Sequence, residues 1–313
     1  MSIVAPVKNA EKHLPNLRTQ ILNTSSPHDE VLIIDDHSED QTAHILDIWA
    51  KEDSRVRVIK NRSYGLAEAL NTGISEARFD WIGRVDADDQ YHQDRFDRQF
   101  LSIDSATVAV FSDYTFRTSS DKYLGFMPSG LHELAVAVSL INSRRTAHPV
   151  ALIRKDAVLA AGGYRSQDFP AEDLSLWLRL SRVGKLVSSP ENLLRYTLSV
   201  NGVSLSSRKL QLRSRDAIIS SIGLESSFQA KAMGSIEDVI HSYTESTYPA
   251  LRSLLFMKDL SSLTGTSTLA LVRESGINFE KTTHEIPALS EIAQFYLFGA
   301  LRKSYRSYNS LPF

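Results

Sequence analysis

Three carboxylate clusters in this chain have the side chains and the spacing to do chemistry. In Asp86-Ala87-Asp88-Asp89, the first two carboxylates are two residues apart, so in an extended chain they face one spot while Asp89 faces elsewhere. Oxygen ligands of this kind suit a hard divalent cation, Mn²⁺ or Mg²⁺, and so few of them leave coordination positions for water and phosphate oxygens; the same residues also read as a solvated acidic turn or a helix N-cap before Asp94–Phe96. A calcium loop of the EF-hand type is excluded, because its sixth position would be Tyr91 where glycine is needed. Asp35 and Asp36 follow the apolar run Val31-Leu32-Ile33-Ile34. A carboxylate there can accept from a base imide or a ribose hydroxyl, although Asp36 and Ser38 are also residue types that cap a helix. Glu172 and Asp173 open an apolar-striped stretch. A helix dipole keeps a carboxylate ionised at such a position, which suits a base and equally suits acidic residues that only favour a helix start. His148, ahead of Pro149, reads either as a phosphate or metal contact or as a buried structural histidine. Trp177, at helical spacing on the same stretch, reads as core or as a flat apolar face.

The elements that must hold these clusters follow from periodicity. Ile3–Val7, Glu30–Asp35, Arg55–Lys60 and Trp81–Val85 are short runs rich in Val and Ile, the pattern of strands buried on both faces. Helical spacing fills the gaps near Glu11–Asn23, Asp40–Lys51 and Leu66–Ala77, where Leu66, Leu70, Ile74 and Ala77 share one face. Strand and helix in alternation predict a doubly wound α/β sheet with mostly parallel strands. A helix near Arg95–Ile103 and a strand at Thr107–Phe111 continue the series. Beyond it come irregular or hairpin structure at Asp113–Met127, a helix at Leu131–Ile141, a strand at His148–Ile153 and a helix at Glu172–Val183. In such a sheet ligands bind beyond the carboxyl ends of the strands, which is where the acidic clusters fall.

The chain has 313 residues, no cysteine, and 35 basic against 37 acidic side chains. That excludes disulfide frameworks and thiolate metal sites, and it leaves no excess positive charge for general nucleic-acid binding. Met1–Val7 lacks the basic start and long apolar run of a signal peptide, and no apolar stretch approaches the roughly 20 residues that span a bilayer. A cytoplasmic location is expected. Residues 204–313 carry 12 basic and 10 acidic side chains with mostly helical periodicity. Their last part combines Arg302, Lys303 and Arg306 with Phe295, Tyr296, Phe298, Tyr305 and Tyr308. Such a segment packs on its own domain or a partner subunit, or lies on the inner face of an anionic membrane. The division expected is 1–203 (a nucleotide half to about 112, an acceptor half from 113) and a helical region 204–313.

Taken in order, these pieces resemble glycosyltransferase family 2, the inverting enzymes of GT-A fold. The resemblance rests on Ser2-Ile3-Val4-Ala5-Pro6-Val7-Lys8-Asn9, Glu30–Thr42, Gly65–Gly73, Arg84–Asp89, His148-Pro149, Gly162-Gly163-Tyr164-Arg165 and Glu172–Leu180, and covers about residues 2–200. It implies transfer of a sugar from a UDP-sugar donor to a hydroxyl of a saccharide or glycolipid acceptor, in bacterial surface polysaccharide or glycolipid synthesis. It implies that Pro6, Val7, Asn9, Asp35, Asp36, Gly65, Arg84, Asp86 and Ala87 line the nucleotide site and that Asp88, with Asp86, holds Mn²⁺ or Mg²⁺. Asp173 would be the general base, with Glu172 positioning it or the acceptor, and His148 and Trp177 would lie toward the acceptor or diphosphate. Two departures stand out. Lys8 occupies a position where many relatives carry Tyr or another neutral residue, and Tyr196-Thr197 replaces a common Tyr-Arg pair. A non-catalytic nucleotide-sugar binding protein would share these features without needing Asp173. A sugar-nucleotide pyrophosphorylase would need a glycine-rich loop after the first strand, where Pro6-Val7-Lys8-Asn9 stands.

Overall fold

The computed structural model describes residues 1–142, 146–198, 208–222, 236–243, 252, 255–257 and 259–260. The first strands form where the apolar runs demand: β1 (Ser2–Val7), β2 (Glu30–Asp35), β3 (Val56–Lys60) and β4 (Trp81–Arg84). Ile3, Val4, Ala5 and Val31–Ile34 are essentially without solvent contact, so each large side chain contributes about 1.5–3 kcal/mol of burial. Helices α1 (Leu14–Thr24), α2 (Thr42–Glu52) and α3 (Leu66–Glu76) connect them. The strands pair in parallel in the order β3-β2-β1-β4. The chain moves outward from β1 to β3 and then returns to the other side of β1. The switch in direction therefore lies between β1 and β4, where an open α/β sheet opens a crevice.

The sheet continues through β8 (Leu152–Arg154), β6 (Thr107–Thr118) and β9 (Lys185–Leu198) to the two-residue β5 (Gln90–Tyr91). Strand β8 runs antiparallel to both β4 and β6, and β9 runs parallel to β6. Six of the nine strands thus point the same way, a mixed but mostly parallel sheet. The hairpin expected after Phe111 is present as β6 with β7 (Tyr123–Met127), and β6 extends to Thr118. Helices α4 (Arg95–Phe100), α5 (Glu133–Asn142), α6 (Lys155–Ala160) and α7 (Glu172–Leu180) complete this part.

The structure departs from the sequence pattern at two places. His148–Val150 is a 3-10 turn and only Leu152–Arg154 is strand, because Pro149 has no N–H to give to a ladder. Residues 185–198, with Ser-Ser-Pro-Glu-Asn at their centre, carry no strand pattern yet form β9. The β6–β9 register shifts from Ser112↔Ser189 to Asp113↔Asn192, which carries Pro190 and Glu191 past the ladder.

The later chain is joined to this sheet by a buried ion pair. Arg252 is 2% exposed and its guanidinium meets both oxygens of Asp113 in β6; it also donates to Ser129 O (2.6 Å) and Pro190 O (3.3 Å). Burial pushes the Asp113 carboxyl up to about 6, against the opposing pull of Arg252. Further helices lie at Arg208–Ile222 and Ile236–His241. No helix among the described residues is long and apolar enough to cross a membrane. The aromatic and basic segment 295–308 lies outside the described residues.

Candidate active site

The carboxyl ends of β1, β2 and β3 assemble one wall. Asp36 is buried, and its side chain is committed to protein: Asn61 Nδ2 donates to Oδ1 (2.7 Å), Gly65 N–H lies 3.0 Å from each oxygen, and Lys8 Nζ stands 3.7 Å away. Gly65 holds φ +99°, a conformation that L side chains avoid, and this aims its N–H at the carboxylate. Asp35 accepts from Ser38 N (3.1 Å). Asn9, at φ +49°, donates its N–H to Ser38 Oγ and accepts from Glu39 N, each at 2.8 Å. Ser38 therefore ties the β1 and β2 loops together, and Asp40 accepts from Thr42 N at the start of α2 in its place. Pro6, Val7, Asn9, Asp35, Asp36 and Gly65 come together on this edge, as the motifs require.

The loop after β4 forms the next wall. Asp86, Ala87 and Asp88 are all half-exposed and Asp89 is buried; Ala87 and Asp88 form a turn, where the sequence predicted an extended chain with alternating sides. Several groups clamp the loop. Asn16 Nδ2 donates to Ala87 O (2.9 Å) and Asp89 O (3.0 Å), and Asp86 N–H donates to Tyr91 Oη (2.8 Å). Thr197 donates its N–H to Asp89 Oδ1 (2.8 Å) and its hydroxyl to Asp88 O (2.6 Å). Burial raises the Asp86 carboxyl above its ordinary range, with Arg84 opposing and Asp88 adding to the rise; Asp89 is driven up well beyond that by burial and by both neighbours. Carboxylates held this close repel one another, so a cation would relieve the loop. Among the described residues no group of three or more Asp, Glu, His or Cys converges. The protein thus offers at most two carboxylates here, which fits a hard divalent cation completed by phosphate oxygens and water. Asp88 faces a cleft of about 190 Å³ whose walls include His13, Asn16, Arg117, Arg195 and Thr197.

Arg84, at the end of β4, connects this loop to α7. It is buried and bridges both oxygens of Asp86 (2.9 and 3.0 Å), while its Nε and Nη1 have no hydrogen-bond partner among the described residues. It lies within electrostatic reach of Tyr164 and Glu172. Glu172 is 5% exposed, and its Oε2 is likewise buried without a hydrogen-bond partner among the described residues. Burial, reinforced by the adjacent Asp173, pushes the Glu172 carboxyl up to about 7. Asp173 is half-buried and accepts from Leu174 N (2.7 Å). Buried polar atoms without partners are uncommon in a folded protein and mark Arg84 and Glu172 as a polar pair within its interior.

His148 and Trp177 pack together in the interior beside Tyr164. His148 Nε2 is 2.7 Å from Tyr164 Oη, and its ring packs edge-on against Trp177. Burial and then Arg84 hold the imidazole well below its ordinary range, so it is neutral at pH 7. Trp177 has no solvent contact and packs edge-on against Phe111; its ring is core and offers no open face to a sugar.

Several site residues belong to no sequence motif: Asn16, Asn61, Tyr91, Arg117 and Arg195. Asn61 does carry a signal, since it stands directly after β3, the same strand-end position that marks the aspartates after β2 and β4. Asn71 accepts from Tyr164 N (2.8 Å) and donates to Tyr164 O (2.9 Å), fixing the Gly162–Arg165 loop on α3. Nothing local in sequence signals that pairing.

A mostly parallel α/β sheet flanked by helices, with acidic loops at its switch point, has the architecture of the GT-A fold. The family profile described as "Glycosyl transferase family 2" matches residues 2–160, just over half of the chain. The chain belongs to that family. The amylovoran biosynthesis glycosyltransferase AmsE of Erwinia amylovora is 28% identical over 188 residues, 58% of this chain and 67% of AmsE. Matches to several other curated relatives span only 36% to 52% of those proteins' length. Among solved structures, Staphylococcus aureus TarS (residues 1–349) in complex with UDP superposes with a TM-score of 0.55 at 17% identity, covering 95% of this chain and 91% of that one. The mannosyltransferase PcManGT of Pyrobaculum calidifontis, in complex with GDP-mannose and Mn²⁺, gives 0.50 at 15% identity, covering 98% and 87%. These likenesses establish the fold.

Proposed function

We propose that this chain is a metal-dependent inverting glycosyltransferase. It would move a sugar from a UDP-sugar to a hydroxyl of a saccharide or glycolipid, in bacterial surface polysaccharide synthesis at the cytoplasmic face of the membrane. The observation that supports this reading is that Arg84, buried and bridging both oxygens of Asp86, lies within electrostatic reach of Glu172 at the start of α7. Asp88 and Asp86 would hold the cation, which when bound would neutralise charge developing on the leaving diphosphate. Pro6, Val7, Asn9 and Asp35 would line the nucleoside, with Asp36 shaping that wall through Asn61 and Gly65. Asp173, one oxygen fixed by Leu174 N–H, would take the acceptor's proton as its oxygen attacks the anomeric carbon from the face opposite the leaving group. One displacement then inverts the configuration. Glu172 keeps its proton up to about pH 7, so the pair need not carry two negative charges, and its buried Oε2 would accept from a sugar hydroxyl. The nucleotide half to about residue 112 and the acceptor half of 113–203 together form the catalytic unit, and residues 204–313 support it.

The test is calorimetric titration of UDP with Mn²⁺ and then with EDTA, followed by transfer to a panel of acceptors. Metal-dependent binding is expected, lost in Asp88→Asn. Asp173→Asn should bind the donor normally and lose transfer by at least about a hundredfold. Full turnover in that variant would place the base elsewhere, and binding without transfer to any acceptor would favour a binding protein.

A further inference from the structure

Tyr64 is the odd residue at the nucleoside edge. Its side chain is 70% exposed, yet its ring lies on that of His37 with centroids 4.0 Å apart and planes within 19°. Both partners are fixed from behind. His37 sits at φ +59°, an uncommon and costly conformation for a residue with a side chain, and its Nε2 is 2.8 Å from Ser63 O. Tyr64 is followed by Gly65, whose N–H is locked onto the Asp36 carboxylate. The stack therefore bridges the carboxyl end of β2 and the start of α3, one residue before the Gly65–Asp36 contact. Lys8, at the end of β1, supplies no ring.

We infer that the open face of Tyr64 is the stacking platform for the base of the bound nucleotide, with His37 as its backing; this rests on the nucleotide-sugar reading above. A rigid, solvent-facing aromatic plane gains most by covering a second flat ring, and the contact of His37 Nε2 with Ser63 O holds that plane in place before the ligand arrives. Every base presents a π-face, so the platform sets affinity, and the choice of base falls to hydrogen-bonding neighbours such as Asp35 and Asn9.

The experiment compares the parent, Tyr64→Ala, Tyr64→Phe and His37→Ala by calorimetry in Mn²⁺, each against UDP and against inorganic pyrophosphate. Loss of base stacking should weaken UDP about five- to a hundredfold in Tyr64→Ala. Pyrophosphate affinity should stay level. Tyr64→Phe should recover most of the UDP affinity, and His37→Ala should lose part of it. The inference is overturned if Tyr64→Ala binds UDP as the parent does, or if it loses pyrophosphate in equal measure. A parent that binds pyrophosphate but no nucleoside diphosphate also sinks it, with the metal loop intact. A parent that binds neither overturns the nucleotide-sugar reading along with it.

Discussion

Glu172 stores free energy that a single isosteric change should release. Its carboxyl sits at about 7 against an ordinary 4.5. At 1.36 kcal/mol per pKa unit, that gap is worth about 3 kcal/mol. The folded chain binds one more proton than the unfolded chain between those two values, so stability is greatest below pH 4.5 and falls as pH rises through 7. Glu172→Gln removes the charge but leaves an amide among groups that do not satisfy Oε2, a cost of about 1 kcal/mol. The variant should therefore match or fall slightly below the parent at pH 4.5 and exceed it by about 2 kcal/mol at pH 8. For a cooperative unit of 150–250 residues that is a rise of about 4–8 °C in Tm at pH 8. Thermal unfolding of both proteins across pH 4.5–8, in EDTA so that no cation alters the balance, measures it, and transfer activity should fall. A variant less stable than the parent at pH 8, or a difference that does not change with pH, would show that the buried charge is not the source of the strain.

The packing sets three further outcomes. Arg252→Met leaves Asp113 buried and unpaired, at a cost of about 3–5 kcal/mol in urea unfolding at pH 8. The loss should shrink toward pH 5, where the Asp113 carboxyl, at about 6 even with its partner, takes up a proton, and Asp113→Asn in the same chain should restore part of it. Thr197→Val removes the hydroxyl bond to Asp88 O but keeps the backbone bond to Asp89, so Mn²⁺-dependent UDP affinity should weaken about two- to tenfold. Gly163→Ala meets both a φ of +65° and Asn71 Oδ1 at 2.7 Å from the added carbon, whereas Gly162→Ala at φ +80° has nothing nearer than Arg179 Nη1 at 3.9 Å. Left-handed strain alone costs about 1–2 kcal/mol, and Gly163→Ala should exceed Gly162→Ala in unfolding experiments by the clash on the Asn71–Tyr164 bond.

The first half of the fold was legible because its strands are buried on both faces and must be uniformly apolar. Val31–Ile34 can be little else, and the aspartates that follow such runs mark the carboxyl edge of the sheet. Strand β9 was not legible because it is held by β6 across a register shift, and no local pattern survives around Pro190. The candidate site was legible as charge and illegible as partnership. Asp36, Asp86, Asp88, Glu172 and Asp173 could be picked out singly. That Asp36 is consumed by Asn61 and Gly65, or that Asn16 and Thr197 clamp the loop from elements 71 and 109 residues distant, depends on the topology. Trp177 shows the reverse error, since a ring on the apolar face of an amphipathic helix has the same spacing whether it meets a sugar or Phe111.

The Asp113–Arg252 pair also sets a clock on biosynthesis. Its two residues are 139 apart in sequence, so at about 5–20 residues per second a ribosome needs roughly 7–28 s to deliver the arginine after the aspartate. Through that interval β6 carries a carboxylate it cannot afford to bury ionised. The strand can close early only with Asp113 protonated, or it must wait, half-assembled, for a segment from beyond residue 250. The whole sheet, whose last strand ends at Leu198, is thus encoded before Asp113 acquires its partner, and the final act of assembly is the arrival of a side chain from outside the sheet.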